Sequence, residues 1–161
     1  MQPQRTVYVI DDHEELNEVV EEILTEAKYR VRTFCNARPA LEAILAGARP
    51  DLVLLDWRLP GMNGEQFLAE LDERDVGLTI LLFTAVPKQV PLTVQARVAG
   101  TLAKPCSLNQ LLDAVERATG RSVIRSFRFD ARAARSAPRE AAVKRVATEH
   151  ATRPAKLRLV V

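Results

Sequence analysis

Apolar and polar positions follow two rhythms along this chain, and the switches between them mark its elements. Residues 6–10 (TVYVI) form a β-branched and aromatic run that stops at Asp11 and Asp12, which predicts a strand. Over 14–27, Leu16, Val19, Val20, Ile23, Leu24 and Ala27 recur at helical spacing with acids on the opposite side. Residues 30–34 (RVRTF) alternate as a second strand. Asn36 is then placed to cap a helix that carries Pro39 in its first turn, buries Leu41, Ile44 and Leu45, and closes at Gly47 and Pro50. The unbroken run LVLL before Asp56 suits a strand buried on both faces, and Gly64 opens a helix with Phe67, Leu68 and Leu71 on one face.

A fourth apolar strand covers 79–83 and ends at Thr84. Pro87 and Pro91 then leave room only for a short helix over about 91–98. A fifth strand, 101–103, ends at Lys104 and Pro105, and Ser107 with Gln110 forms a capping box for a last helix that buries Leu111, Leu112 and Val115. Five strand and helix alternations predict an α/β fold: a doubly wound parallel sheet with helices on both faces.

The strand ends carry the candidate chemistry. Asp11 with Asp12, Asp56, Thr84 and Lys104 each follow or close an apolar run, so one edge of the sheet collects them. A single Asp in such a place is ordinarily a turn or cap residue, but four strands delivering polar groups together point to a site. Three carboxylates repel one another unless a cation intervenes, and an all-oxygen set favours a hard ion such as Mg²⁺. A carboxylate beside that ion, a hydroxyl and an ammonium suits phosphoryl transfer: Asp56 attacks phosphorus, Lys104 and the ion offset charge, and Thr84 donates a hydrogen bond.

Charge divides the chain. Residues 1–120 hold 12 Lys and Arg against 18 Asp and Glu, a balance of −6, whereas 121–161 hold 11 against 3, a balance of +8. An acidic domain over 1–120 with a basic extension over 121–161 is therefore expected. In the extension Arg121, Arg125, Arg128, Arg132, Arg135 and Arg139 share one helical face, yet like charges four apart disfavour an isolated helix. Either it stays disordered or it folds against nucleic acid, an acidic membrane or an acidic partner. The sequence offers no apolar run near the roughly 18 residues of a membrane span and no secretory leader, so a cytoplasmic location is expected. Cys35 and Cys106 are far apart without a CxxC pair, and read as reduced thiols.

The acidic pair Asp11 and Asp12, the segment LDWRLPGMNG around Asp56, Thr84 with Ala85, and Lys104 with Pro105 together resemble the receiver domains of two-component response regulators, including chemotaxis-type members. That resemblance covers roughly residues 5–120 and implies a flavodoxin-like sheet of order 2-1-3-4-5. It implies Asp56 as phosphoacceptor, charged by a sensor histidine kinase or a histidine phosphotransfer protein. It further implies Mg²⁺ held directly by Asp12 and Asp56, by Asp11 through water, and by the backbone carbonyl of Arg58. Phosphorylation would switch interactions through the segment from Thr84 to Lys104, with self-phosphotransfer and dephosphorylation but no other enzymatic turnover, and association as a homodimer is left open. The chain departs from the family pattern at Thr101, where an aromatic is usual, at Arg97, where Gly is common, and at Cys106, where a large apolar residue is usual.

Three other readings compete. The basic extension makes the chain a nucleic-acid or acidic-surface binder; Thr101 and Cys106 make it an unphosphorylated pseudo-receiver scaffold; and a strand-end Asp with Mg²⁺ also fits a metal-dependent phosphatase. Against the last, Arg58 stands two residues after Asp56, where the haloacid dehalogenase-type pattern has a second Asp. His13 reads as a solvated first-turn residue, since a hard cation prefers oxygen, and Trp57 reads as packed and without a catalytic role.

Overall fold

The computed structural model describes residues 4–120. Five strands, β1 (Thr6–Ile10), β2 (Arg30–Phe34), β3 (Leu52–Leu55), β4 (Ile80–Thr84) and β5 (Gly100–Ala103), form one parallel sheet in the order β2-β1-β3-β4-β5. Helices α1 (Glu14–Glu26), α2 (Ala37–Leu45), α3 (Gly64–Glu73), α4 (Leu92–Gln95) and α5 (Leu108–Thr119) make the crossovers, and a 3-10 turn over Pro87–Gln89 precedes α4. This is the doubly wound, flavodoxin-like α/β architecture that the strand and helix alternation predicts.

The sheet separates two cores because strand side chains alternate between its faces. Val7, Val9, Leu52, Leu54, Leu81 and Phe83 pack with Leu16, Val20 and Leu24 of α1 and with Leu111 and Val115 of α5. Tyr8, Ile10, Val53, Leu55, Ile80 and Leu82 pack with Leu41 and Ile44 of α2 and with Phe67 and Leu71 of α3. Both faces of β3 are thus covered, which is why its sequence is apolar at every position.

Several local expectations change. Leu45 is exposed rather than buried: it ends α2, turned by about 100° from Ile44, while Ala37 and Ala40 fill the buried stripe instead. Asn36 occupies the position before α2 in an extended conformation, but its side chain makes no capping hydrogen bond. A capping box that the sequence reading overlooked starts α3, where Asn63 Oδ1 accepts from Gln66 N–H and Gln66 Oε1 accepts from Asn63 N–H. Ser107 and Gln110 form the expected box on α5. The helix expected over 91–98 is regular only over the single turn of α4, with Pro91 as its N-cap, and passes into looser turns in which Arg97 N–H and Val98 N–H both donate to Val94 O, at 2.9 and 3.2 Å. The arginine stripe and the whole basic extension from residue 121 lie outside the described residues.

Candidate functional site

Parallel pairing puts the ends of β1 and β3 side by side, with Ile10 opposite Leu55. The next residue on each strand is an aspartate, and the ladder holds both past the strand ends: Asp56 N–H donates to Ile10 O at 2.9 Å and Asp11 N–H to Phe34 O at 3.1 Å. At the far side of the sheet Lys104 continues β5, its N–H donating to Thr84 O at 2.8 Å. From there its long side chain crosses β4 beneath the surface, with Nζ 5.0 Å from the centre of the Phe83 ring.

The Lys104 ammonium ends between the two aspartates. It donates to Asp56 Oδ2 at 2.7 Å and to Asp11 Oδ2, and its side chain is fully buried. Burial works to lower the pKa of Lys104, yet the charges of Asp11 and Asp56 overcome it and hold the ammonium above the ordinary lysine value. Burial likewise works to raise Asp11, but the hydrogen bond from His13 and the charge of Lys104 hold its carboxyl below the ordinary carboxylate value. The second oxygen of Asp56 accepts from the backbone N–H of Arg58 at 3.1 Å, while Arg58 itself is exposed.

His13 is not the solvated residue that the sequence suggested. Its backbone N–H donates to Asp11 Oδ1 at 3.0 Å, and this tight turn folds the imidazole back so that Nδ1 lies 2.9 Å from Asp11 Oδ1 and 3.2 Å from Asp12 Oδ1. Asn17 was also missed: it is 3% exposed, and its amide donates to Asp11 O at 2.8 Å, fixing the turn from β1 into α1. A polar residue beside the apolar stripe of Leu16, Val20 and Leu24 was the available signal. Thr84 closes β4 fully buried, its hydroxyl accepting from Val86 N–H at 3.3 Å, so it lies at the site's edge and outside the lysine network. Trp57 is buried in the α2 and α3 core, as expected, and Gly64 N–H donates back to its carbonyl at 3.0 Å.

An open parallel sheet whose carboxyl edge gathers buried aspartates around one lysine defines a doubly wound α/β domain with a polar site where such sheets take their ligands. Comparison with known proteins narrows it: residues 7–116 match the response regulator receiver domain, and the chain belongs to that family. It is 36% identical over 118 residues to the C4-dicarboxylate transport transcriptional regulatory protein DctD of Pseudomonas aeruginosa, covering 71% of this chain and 25% of that protein. It is 28% identical over 114 residues to sporulation initiation phosphotransferase F of Bacillus subtilis, covering 69% of this chain and 90% of that protein. The chain therefore spans about a quarter of the first relative and most of the second.

Among solved structures, response regulator TrrA of Thermotoga maritima in complex with Mg²⁺ and BeF superposes with a TM-score of 0.64 at 25% identity, covering 71% of this chain and 99% of TrrA. Receiver domains are signalling domains of two-component systems rather than classical enzymes, and they take phosphoryl groups from histidine kinases or phosphotransfer proteins. They bind Mg²⁺ at an acidic pocket, and in this chain Asp11, Asp12 and His13 bring one ligand atom each within 4.8 Å of one another. No helix among the described residues is long and apolar enough to cross a membrane.

Proposed function

We propose that Asp56 is the phosphoacceptor of this receiver, with Lys104 and Thr84 as its partners and a Mg²⁺ ion as its cofactor. The observation that carries the reading is the buried Lys104 ammonium held by both Asp56 and Asp11. An Asp56 carboxylate oxygen attacks the phosphorus of a phosphohistidine, the P–N bond breaks, and the imidazole leaves with its electron pair. Lys104 offsets charge on the phosphoryl oxygens from its present place. The Thr84 hydroxyl, which accepts from Val86 N–H and keeps its own proton to give, donates to one of those oxygens, and its shift toward the phosphoryl group carries Val86 and the segment from Thr84 to Lys104 with it.

The donor set fits the cation. Three carboxylates meet only one buried ammonium, and the Oδ1 atoms of Asp11 and Asp56 face backbone N–H groups and His13 rather than Lys104. Asp12 and Asp56 are the proposed direct ligands, with Asp11 through water and Arg58 through its backbone carbonyl. When bound, the ion supplies positive charge that offsets the developing charge on the transferred group.

Intact-mass analysis after incubation with a small phosphodonor and Mg²⁺ tests the assignment. One phosphoryl group is expected, absent in Asp56→Asn and absent with EDTA; retention of the group in Asp56→Asn would overturn it. We further propose a division into a receiver at 1–120 and a basic extension at 121–161, which the charge balance of +8 supports as a contact for nucleic acid or another polyanion. The relative DctD, a transcriptional regulatory protein by its description, favours nucleic acid. Binding that loses its salt dependence on removal of 121–161 supports this role, and binding indifferent to that removal refutes it.

A further inference from the structure

The outer face of α1 carries one sign of charge, and the chain leaves the domain beside it. We infer that the arginine stripe from Arg121 to Arg139 docks along this face, so that the acidic partner of the basic extension is the chain's own receiver. The consequence for polyanions drawn below rests on the role proposed above for the extension; the docking itself does not.

Six of the 13 residues of α1 are glutamates, and none is a lysine or arginine. α5 packs on the same side of the sheet and adds Asp113 and Glu116 against Arg117, so the two helices hold eight acids and one base. Glu14, Glu15, Glu18, Glu21 and Glu26 are exposed, and among the described residues no lysine or arginine forms a salt bridge with any of these five. Glu15, Glu18, Glu22 and Glu26 follow one another at steps of three and four and share a face of the helix. The arginines of the extension recur at the same steps. Like charges four apart disfavour either stripe alone, and each stripe relieves the repulsion within the other.

The domain delivers the extension to this face. Tyr29 closes the turn after α1, its N–H donating to Leu24 O at 2.9 Å, and its hydroxyl lies 3.3 Å from Oγ1 of Thr119, the last residue of α5. The two helices thus end side by side. Gly120 then takes a left-handed φ of 64°, which stops α5 and turns the chain off its axis. Residue 121 therefore starts at the Glu26 end of α1. At about 1.5 Å per residue α1 is about 20 Å long, and the stretch from Arg121 to Arg139 would be about 28 Å long as a helix, enough to return along all of it.

Exposed ion pairs are individually weak, but a tethered segment meets its site at an effective concentration of about 1 mM, where several together suffice. Docked arginines are withheld from a polyanion, whose apparent affinity falls by the fraction of chains left undocked. The receiver thereby masks its own basic contact.

The test places a nitroxide on the full chain at Ala133→Cys in a Cys35→Ser background, the buried Cys106 staying unlabelled. The expected result is paramagnetic broadening of α1 amide resonances, with those of α2 and α3 across the sheet left sharp. The effect should vanish at about 1 M salt, where charges are screened within about 3 Å, and weaken in Glu15→Gln/Glu18→Gln/Glu26→Gln. Broadening no greater in α1 than in α2 and α3, or indifferent to salt and to that triple variant, would overturn the docking. Fluorescence anisotropy with a labelled mixed-sequence DNA duplex reads the masking. The α1 triple variant should bind at least about threefold more tightly than Glu42→Gln/Glu65→Gln/Glu73→Gln, which removes the same charge from α2 and α3. Equal tightening in both would overturn the masking. No DNA binding by any variant, with the α1 broadening intact, would overturn the polyanion role and leave the docking standing.

Discussion

Gly64→Ala is a severe test of how the phosphoacceptor loop is held. A Cβ at residue 64 would stand 2.8 Å from Trp57 Cε3, 3.1 Å from Trp57 Cα and 3.2 Å from Asp56 O, all inside the roughly 3.5–4.0 Å of ordinary contact. Two of these neighbours are backbone, and the third belongs to a ring buried among Leu59, Met62 and Phe67, so none yields as a flexible tip does. Overpacking of this kind costs about 1–3 kcal/mol, against which alanine recovers at most about 1 kcal/mol of helix propensity, less at the first residue of α3. A net loss of about 1–2 kcal/mol follows, which lowers the unfolding midpoint by roughly 3–8 °C in a chain of this size.

Urea unfolding, followed by the far-UV circular dichroism of the helices so that variants without Trp57 read equally, measures the loss. Trp57→Leu in the Gly64→Ala background removes the ring contact, so the double-mutant cycle should show a favourable coupling of at least about 0.5 kcal/mol. A Gly64→Ala protein as stable as wild type would refute the argument. It would mean that the Asp56–Trp57 backbone is not clamped by α3.

The pH dependence of stability follows from the lysine network. Asp11 is held below its ordinary value, so its contribution is present above the ordinary carboxylate range and is lost as pH falls through the folded-state value. Lys104 is held above its ordinary value, so its contribution is complete below about pH 10 and is lost at higher pH as the folded-state value is passed. Urea midpoints measured across pH should thus fall at both extremes, and Asp11→Asn should flatten the acid limb; an unchanged acid limb in that variant would assign the loss to other carboxylates. The cysteines should also separate. Burial pushes the Cys106 thiol up to about 11, leaving about 0.1% thiolate at pH 8, whereas Cys35 is exposed. Iodoacetamide with mass mapping should label Cys35 first, and equal labelling of both in folded protein would contradict the burial of Cys106.

The sequence made the sheet and the acidic edge legible because both depend on local signals. A strand covered on both faces must be apolar throughout, and residues 52–55 and 80–83 are; the first polar residue afterwards has to emerge at the sheet edge, as Asp56 and Thr84 do. What was not legible depends on reach across the fold. Nothing near Lys104 in sequence tells that its side chain travels under β4 to Asp11, 93 residues away. His13 looked solvated because an imidazole after two acids ordinarily faces water, and only the backbone turn onto Asp11 brings it back. The Asn63 and Gln66 box is the exception, a local signal with the same spacing as that of Ser107 and Gln110.

The division of the interior by the sheet has a practical consequence for watching this domain signal. Val86, Val90, Val94 and Val98, the apolar anchors of the segment between β4 and β5, all belong to the core shared by α2 and α3. Leu16, Val20 and Leu24 of α1 belong to the other. A rearrangement of that segment therefore loads one compartment and leaves its neighbour behind a wall of backbone hydrogen bonds. A reporter dye on the outer surface of α1 would be insulated and serve as the reference channel, whereas one on the outer surface of α3 would share a wall with the moving valines and carry the signal.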